Sequence, residues 1–213
     1  MILQSLEIWI GWVGAVAGFG TLAAALWGIW RGTRRAVGRE EGIAHRFLRW
    51  PLLFVATGIY VGLGMLLWRP LPIRLGEPAR LVALVFGSLL YFPALALYLW
   101  GLRTLGAMFS PSSGFGVRLY ADQRLITQGP YDFVRHPMYL AVIITGLGGL
   151  MIYRTWAMAA FALSMLGLAV RARREERALA AEFPQEWEAY RRRVPAWIPR
   201  VCPHKPQKGS PAQ

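Results

Sequence analysis

Residues 81–102 constrain this chain more than any other stretch: twenty-two consecutive residues carry no charged side chain. The hydrocarbon core of a bilayer is about 30 Å thick and takes roughly 20 helical residues to cross. Within it every backbone N–H and C=O must be bonded inside the segment, so a run of this kind folds as a helix. Four further apolar runs accompany it, at 6–30, 51–68, 139–153 and 156–170. With 55% hydrophobic residues and a mean hydropathy of +0.36, the chain is too apolar for a soluble domain of 213 residues. The expected fold is all-α. It is an integral membrane protein of about five transmembrane helices, ending in a C-terminal helical hairpin and an amphipathic cytoplasmic tail.

The runs differ in ways that bear on packing. Gly11, Gly14 and Gly18 fall along one side of the first, which suits close helix contact. No Lys or Arg precedes that run, and Arg31, Arg34 and Arg35 follow it. This reverses the charge order of a secretory signal, so the run reads as a spanning helix despite the small residues Ala23-Ala24-Ala25. The second run starts at Pro51, where a helix tolerates proline. Pro93 lies inside the third and predicts a kink. The last two have fifteen residues each, short for a full crossing, and are split by Arg154-Thr155. They predict a tight hairpin whose helices approach at Gly146, Gly148 and Gly149. The chain divides into a three-helix membrane region (1–102), a core that carries the polar motifs (103–200) and a flexible tail (201–213).

Charge supplies the topology. The formal net charge is +13, and twenty of the 24 Lys and Arg lie in residues 31–50, 103–138 and the stretch from Arg171. Five passes place those three segments on one side. The positive-inside rule then puts the N-terminus outside and the C-terminus in the cytoplasm, in the inner (plasma) membrane of the cell. The basic excess reads as topology and as attraction to anionic lipids; no nucleic-acid motif accompanies it. The single Cys202 allows no intramolecular disulfide and reads as inert, His45 reads as a surface residue, and no metal site is expected. In the tail Leu179, Phe183, Trp187, Tyr190 and Val194 recur at helical spacing, which predicts a packing stripe. Arg171 and Glu175, four apart, share a helix face. By themselves they read as a surface ion pair or a lipid anchor.

The most polar and least repetitive stretch between the apolar runs is residues 123–139, Gln-Arg-Leu-Ile-Thr-Gln-Gly-Pro-Tyr-Asp-Phe-Val-Arg-His-Pro-Met-Tyr. Gly129-Pro130 signals a turn. Pro137 pushes His136 out of the α region and suits the first position of a helix. A loop bearing Tyr131, Arg135 and His136 therefore runs straight into a membrane helix. The free N–H groups at that helix start suit a ligand with anionic groups.

Two blocks in this order resemble the isoprenylcysteine carboxyl methyltransferase family, a relative of the membrane phospholipid methyltransferases. The first is Gly129-Pro130-Tyr131, then Arg135-His136-Pro137 and Tyr139. After an apolar hairpin comes the second, Arg171, Glu175-Glu176, Leu179, Phe183, Trp187, Tyr190 and Val194-Pro195. The resemblance covers roughly residues 105–200. It implies a site for S-adenosylmethionine lined by Gln123, Arg124, Leu125, Ile126, Tyr131, His136, Pro137, Met138, Tyr139 and Glu175. Arg171 falls on the substrate side, and Arg171 and Glu175 are the implied catalytic pair. Two departures stand out: Gln123 replaces a histidine frequent in the family, and Pro184 replaces a glycine.

The residue types suit that implied chemistry. Tyr131 and Tyr139 offer ring faces for a sulfonium or an adenine. Glu175 suits an ammonium or ribose hydroxyls, and His136 a carboxylate. Methyl transfer depends chiefly on holding the acceptor in line with the methyl group. A carboxylate acceptor needs no base and suits a two-pronged grip by Arg171. An amine or thiol acceptor needs a proton acceptor, for which Glu175 and Glu176 are the candidates. The acceptor is expected to be lipid-like or isoprenoid-like and to arrive from the bilayer. Two other classes share the architecture: a membrane reductase of the sterol-reductase type using NADPH, and a non-catalytic membrane scaffold.

Overall fold

A computed structural model describes residues 2–32, 37–42, 50–109, 112–113 and 116–199. The readings of His45, Cys202 and the 201–213 tail lie outside the described residues. The chain is mainly helical. In order come α1 (Ile2–Gly32), β1 (Val37–Gly42), α2 (Trp50–Leu66), α3 (Glu77–Leu105), β2 (Ser112–Ser113), β3 (Gly116–Tyr120), α4 (Pro137–Tyr153), α5 (Trp156–Ser164), α6 (Leu168–Glu182) and α7 (Pro184–Arg193). Single 3-10 turns occupy Gly106–Met108, Gly129–Asp132 and Met165–Gly167.

Among the described residues, three helical stretches are long and apolar enough to cross a membrane: Ile2–Arg31, Glu77–Met108 and Trp156–Glu182. Pro51–Leu66 and Pro137–Tyr153 are shorter apolar helices. At 1.5 Å per residue, the 17 residues of α4 reach about 26 Å, a little less than a hydrocarbon core. Large apolar side chains such as Trp9, Trp12, Ile59 and Phe86 stand exposed on the outer faces. This is the pattern of an integral membrane protein, whose lipid-facing surface need not be buried in protein.

The hairpin turns at Arg154, which sits in the left-handed region (φ 50, ψ 44), and at Thr155, whose hydroxyl caps α5 by accepting from Met158 N at 3.3 Å. Gly146 faces Phe161 and Gly149 faces Met158 across the hairpin, as expected. Gly148 does not. A Cβ on it would lie 2.7 Å from Tyr91 N and 2.8 Å from Gly87 O, so it seats α4 directly on the backbone of α3. Gly14 and Gly18 of α1 lie against the Tyr91 and Tyr153 rings, and Gly11 against that of Tyr153. Tyr91 Oη donates to Gly14 O (3.0 Å) and Tyr153 Oη to Gly11 O (2.7 Å). Leu84, Tyr91, Leu95 and Ile152 form the core between α3 and α4.

One feature is additional to the helical expectation. β1, drawn from the basic connection between α1 and α2, pairs antiparallel with β3, which also pairs with β2, giving the order β1-β3-β2. The sheet lies beside α6. The tail stripe is also split. Pro184 starts a new helix after Phe183, so the stripe runs along two helices, with Trp187, Tyr190 and Val194 buried against Leu125, Leu179, Ala180 and Phe183.

Candidate functional site

The site lies where α3 ends, α4 begins and α6 leaves the apolar layer. Pro137 opens α4, with His136 at its N-cap in a non-helical conformation (φ −122, ψ 57). The preceding 3-10 turn, Gly129–Asp132, buries Pro130 and Tyr131 and depends on Gly129 at φ +63. Gly101 of α3 lets this turn approach. A Cβ there would lie 2.7 Å from Met138 Cγ and 3.6 Å from Tyr131 Oη.

A cavity of about 250 Å³ occupies this junction. Its lining includes every residue that the resemblance assigns to the site: Gln123, Arg124, Leu125, Ile126, Tyr131, His136, Pro137, Met138, Tyr139, Arg171 and Glu175. Two blocks far apart in sequence meet at the cavity, where Tyr139 Oη donates to Glu175 Oε2 at 2.6 Å. The Arg171 guanidinium lies 5.1 Å from the centre of the Tyr139 ring, a cation–π contact. The His136 ring stacks on Tyr139, centres 5.5 Å apart and planes 9° apart. Gln123 Nε2 donates to Met108 O at 3.2 Å. Burial pushes the Tyr131 phenol well above its usual range, and the Glu175 carboxylate adds to this, so Tyr131 is neutral at physiological pH. Burial likewise raises Tyr190, whose hydroxyl donates to Tyr131 O at 2.7 Å.

These contacts narrow three expectations. Two backbone N–H groups at the start of α4 already have partners: Arg135 N donates to Pro195 O (2.9 Å) and His136 N to Ala196 O (3.2 Å). The chain after α7 thus straps the motif, and Trp197 leans on His136 with ring centres 5.3 Å apart. His136 Nε2 faces Glu176 Oε1 at 2.8 Å, so that nitrogen is committed within the protein. Of the two candidate bases, Glu175 lines the cavity and Glu176 does not.

The cavity also takes in residues that the sequence did not mark. Tyr98 and Leu105 come from α3, Met108 and Phe109 follow it, Val142 is on α4, and Met165 and Leu168 flank the last 3-10 turn. They are apolar or aromatic residues inside or beside apolar runs, where nothing local separates a cavity wall from a lipid-facing side chain.

Residues 83–181, from α3 to the end of α6, match the isoprenylcysteine carboxyl methyltransferase (ICMT) family. Relatives with two kinds of name are similar to parts of this chain. The cobalt-zinc-cadmium resistance protein CzcN of Cupriavidus metallidurans is 36% identical over 110 residues, 47% of this chain and 49% of that protein. The nickel-cobalt-cadmium resistance protein NccN of Alcaligenes xylosoxydans xylosoxydans is 41% identical over 80 residues, 36% of this chain and 37% of that protein. The protein-S-isoprenylcysteine O-methyltransferase of Schizosaccharomyces pombe is 30% identical over 130 residues, 58% of this chain and 55% of that protein. The chain thus spans about half, or less, of the length of these relatives. The matched segment holds the whole 123–139 motif together with Arg171, Glu175 and Glu176. Trp187, Tyr190 and the strap at 195–197 lie beyond it and supply packing from outside.

Proposed function

We propose that this chain is an S-adenosylmethionine-dependent methyltransferase that modifies a lipid-like or isoprenoid-like acceptor at the cytoplasmic face of the inner membrane. The observation that carries the reading is the meeting of Tyr139 and Glu175 at the wall of one cavity. The donor set fits the cofactor. Glu175 accepts one hydrogen bond from Tyr139, and a carboxylate has capacity for several more. It suits an ammonium or ribose hydroxyls, while Tyr131, Tyr139 and Trp187 offer ring faces for an adenine or a sulfonium.

When bound, S-adenosylmethionine supplies an electrophilic methyl group. The protein's part is to hold the acceptor in line with it and to keep water out. Leu105, Met108, Val142, Met165 and Leu168 give the cavity an apolar wall that suits a hydrocarbon chain arriving from the bilayer. Arg171, which lines the cavity from α6, suits an anionic acceptor group. For an amine or thiol acceptor, Glu175 is the carboxylate within the cavity that can take the proton. The basic-residue distribution supports a cytoplasmic site, because the connections that meet here carry most of the arginines. Two relatives carry metal-resistance names, but among the described residues no group of three or more His, Cys, Asp or Glu is placed to hold a metal.

Calorimetry on the purified protein tests the reading. S-adenosylmethionine is expected to bind, and Glu175→Gln, which removes charge and keeps size, is expected to cost about 1.5–3 kcal/mol of affinity, the range for hydrogen bonds to charged groups. Binding of NADPH in its place would point to the reductase class. Unchanged affinity in Glu175→Gln would remove Glu175 from the site.

A further inference from the structure

We infer that Glu176 is a positioning residue for the cofactor site, acting through His136 and Tyr139 without touching the ligand; this rests on the methyltransferase reading above. Adjacent residues on a helix point about 100° apart, so Glu175 and Glu176 cannot both face the cavity. Glu175 lines it, and Glu176 turns to the loop that precedes α4. There Glu176 Oε1 lies within reach of three nitrogens: Arg135 Nε at 3.0 Å, the second Arg135 guanidinium nitrogen at 2.9 Å and His136 Nε2 at 2.8 Å. The side chains of Arg135 and His136 are only 11% and 5% exposed, so this carboxylate is a partner they cannot replace with bulk water.

Arg135 extends the network to the strap. It donates to Arg191 O at 3.2 Å and Val194 O at 3.1 Å, and its guanidinium lies 5.6 Å from the centre of the Trp187 ring. Glu176 therefore joins α6, the start of α4 and the end of α7. His136 passes that anchoring to the cavity. A bond at Nε2 fixes the tautomer and the rotation of the imidazole. The fixed ring stacks on Tyr139, Tyr139 donates to Glu175, and Arg171 lies on the Tyr139 ring. The three groups proposed to meet cofactor and acceptor are thus oriented through one tyrosine, whose stacking partner is held by Glu176. Without the charge at 176, His136 and Arg135 lose their shared partner and the Tyr139–Glu175 pair loses its reference.

The test measures S-adenosylhomocysteine binding and thermal midpoint for wild type, Glu176→Gln and Glu7→Gln. Glu7 is a second carboxylate that accepts from two arginines, Arg80 and Arg154, at the other end of the helices, and it does not line the cavity. Both variants are expected to lower the midpoint. Only Glu176→Gln is expected to weaken binding, about tenfold, or about 1.4 kcal/mol. Wild-type affinity in Glu176→Gln, or an equal loss in Glu7→Gln, would overturn the inference and leave Glu176 a fold contact. If Glu176→Gln does not accumulate, Glu176→Asp, which draws the charge back by one methylene, is expected to lose about threefold, and wild-type affinity there would overturn the inference equally. A wild-type protein that binds no S-adenosylhomocysteine would overturn the methyltransferase reading and this inference together.

Discussion

The two ends of the helix bundle use the same residue types for different ends. At one, Glu7 of α1 accepts from Arg154 at the hairpin turn (2.8 Å) and from Arg80 in the first turns of α3. The connection after α2 closes on the same turn, with Leu71 N donating to Arg154 O (2.8 Å) and Trp156 N to Arg69 O (3.0 Å). Charges there satisfy one another and close the structure. About 37 Å away along α3, from Arg80 to Leu105, the other end also has carboxylates and arginines. There Glu176 takes up the side chains of Arg135 and His136. Glu175 accepts from the Tyr139 hydroxyl and faces a cavity that Arg171 also lines. A carboxylate matched by arginines holds helices together. A carboxylate met by a tyrosine hydroxyl keeps capacity for a ligand.

The joint between the ends offers the largest expected effect. Gly148 packs on the α3 backbone, so Gly148→Leu forces the two main helices apart at a point where neither backbone can yield. The expected loss is about 3 kcal/mol, at the upper end for overpacking, read as thermal unfolding in detergent. A stable Gly148→Leu protein would mean that the two ends are not held by this joint. Arg171→Lys sharpens the contrast at the site end. If Arg171 were a lipid anchor like any basic residue at a membrane boundary, lysine would serve equally well. As a planar grip on an anionic acceptor it would not, and methyl transfer into membrane extract should fall one or two orders of magnitude, about 1.4–2.7 kcal/mol in barrier, with cofactor affinity intact. Full turnover in Arg171→Lys would remove the acceptor role. The smallest effect is expected from Tyr190→Phe, which removes the hydroxyl that supports Tyr131 O. It should cost about 1 kcal/mol of unfolding free energy, measured by denaturation. A much larger loss would show that the end of α7 holds the bundle together as strongly as the Glu7 end does.

Much of this molecule was written in local pattern. Apolar runs long enough to cross a bilayer leave the backbone little choice but helix, so the membrane class and the Arg154-Thr155 turn follow from sequence. The order of polar residues around Pro137 marked the start of α4 and, with Arg171 and Glu175, marked part of what lines the cavity. Other features were not legible, because each depends on residues distant in the chain. Nothing in residues 37–42 says that they pair with 116–120, since a strand's partner is not encoded in its own few residues. No periodicity assigns Gly148 to α3 and Gly149 to Met158, because that depends on how α4 is rotated between its neighbours. The backbone groups of Arg135 and His136 looked available until the strap from 195–196 filled them.

The sequence by itself determined that this chain lies in a membrane as helices and which side chains gather at its site, because hydrophobic length and the order of a motif are properties of neighbouring residues. The tertiary structure alone decided which of two adjacent glutamates meets the cavity and which anchors His136. That choice is set by the rotation of α6 against α4, and only contacts between separate helices fix a rotation.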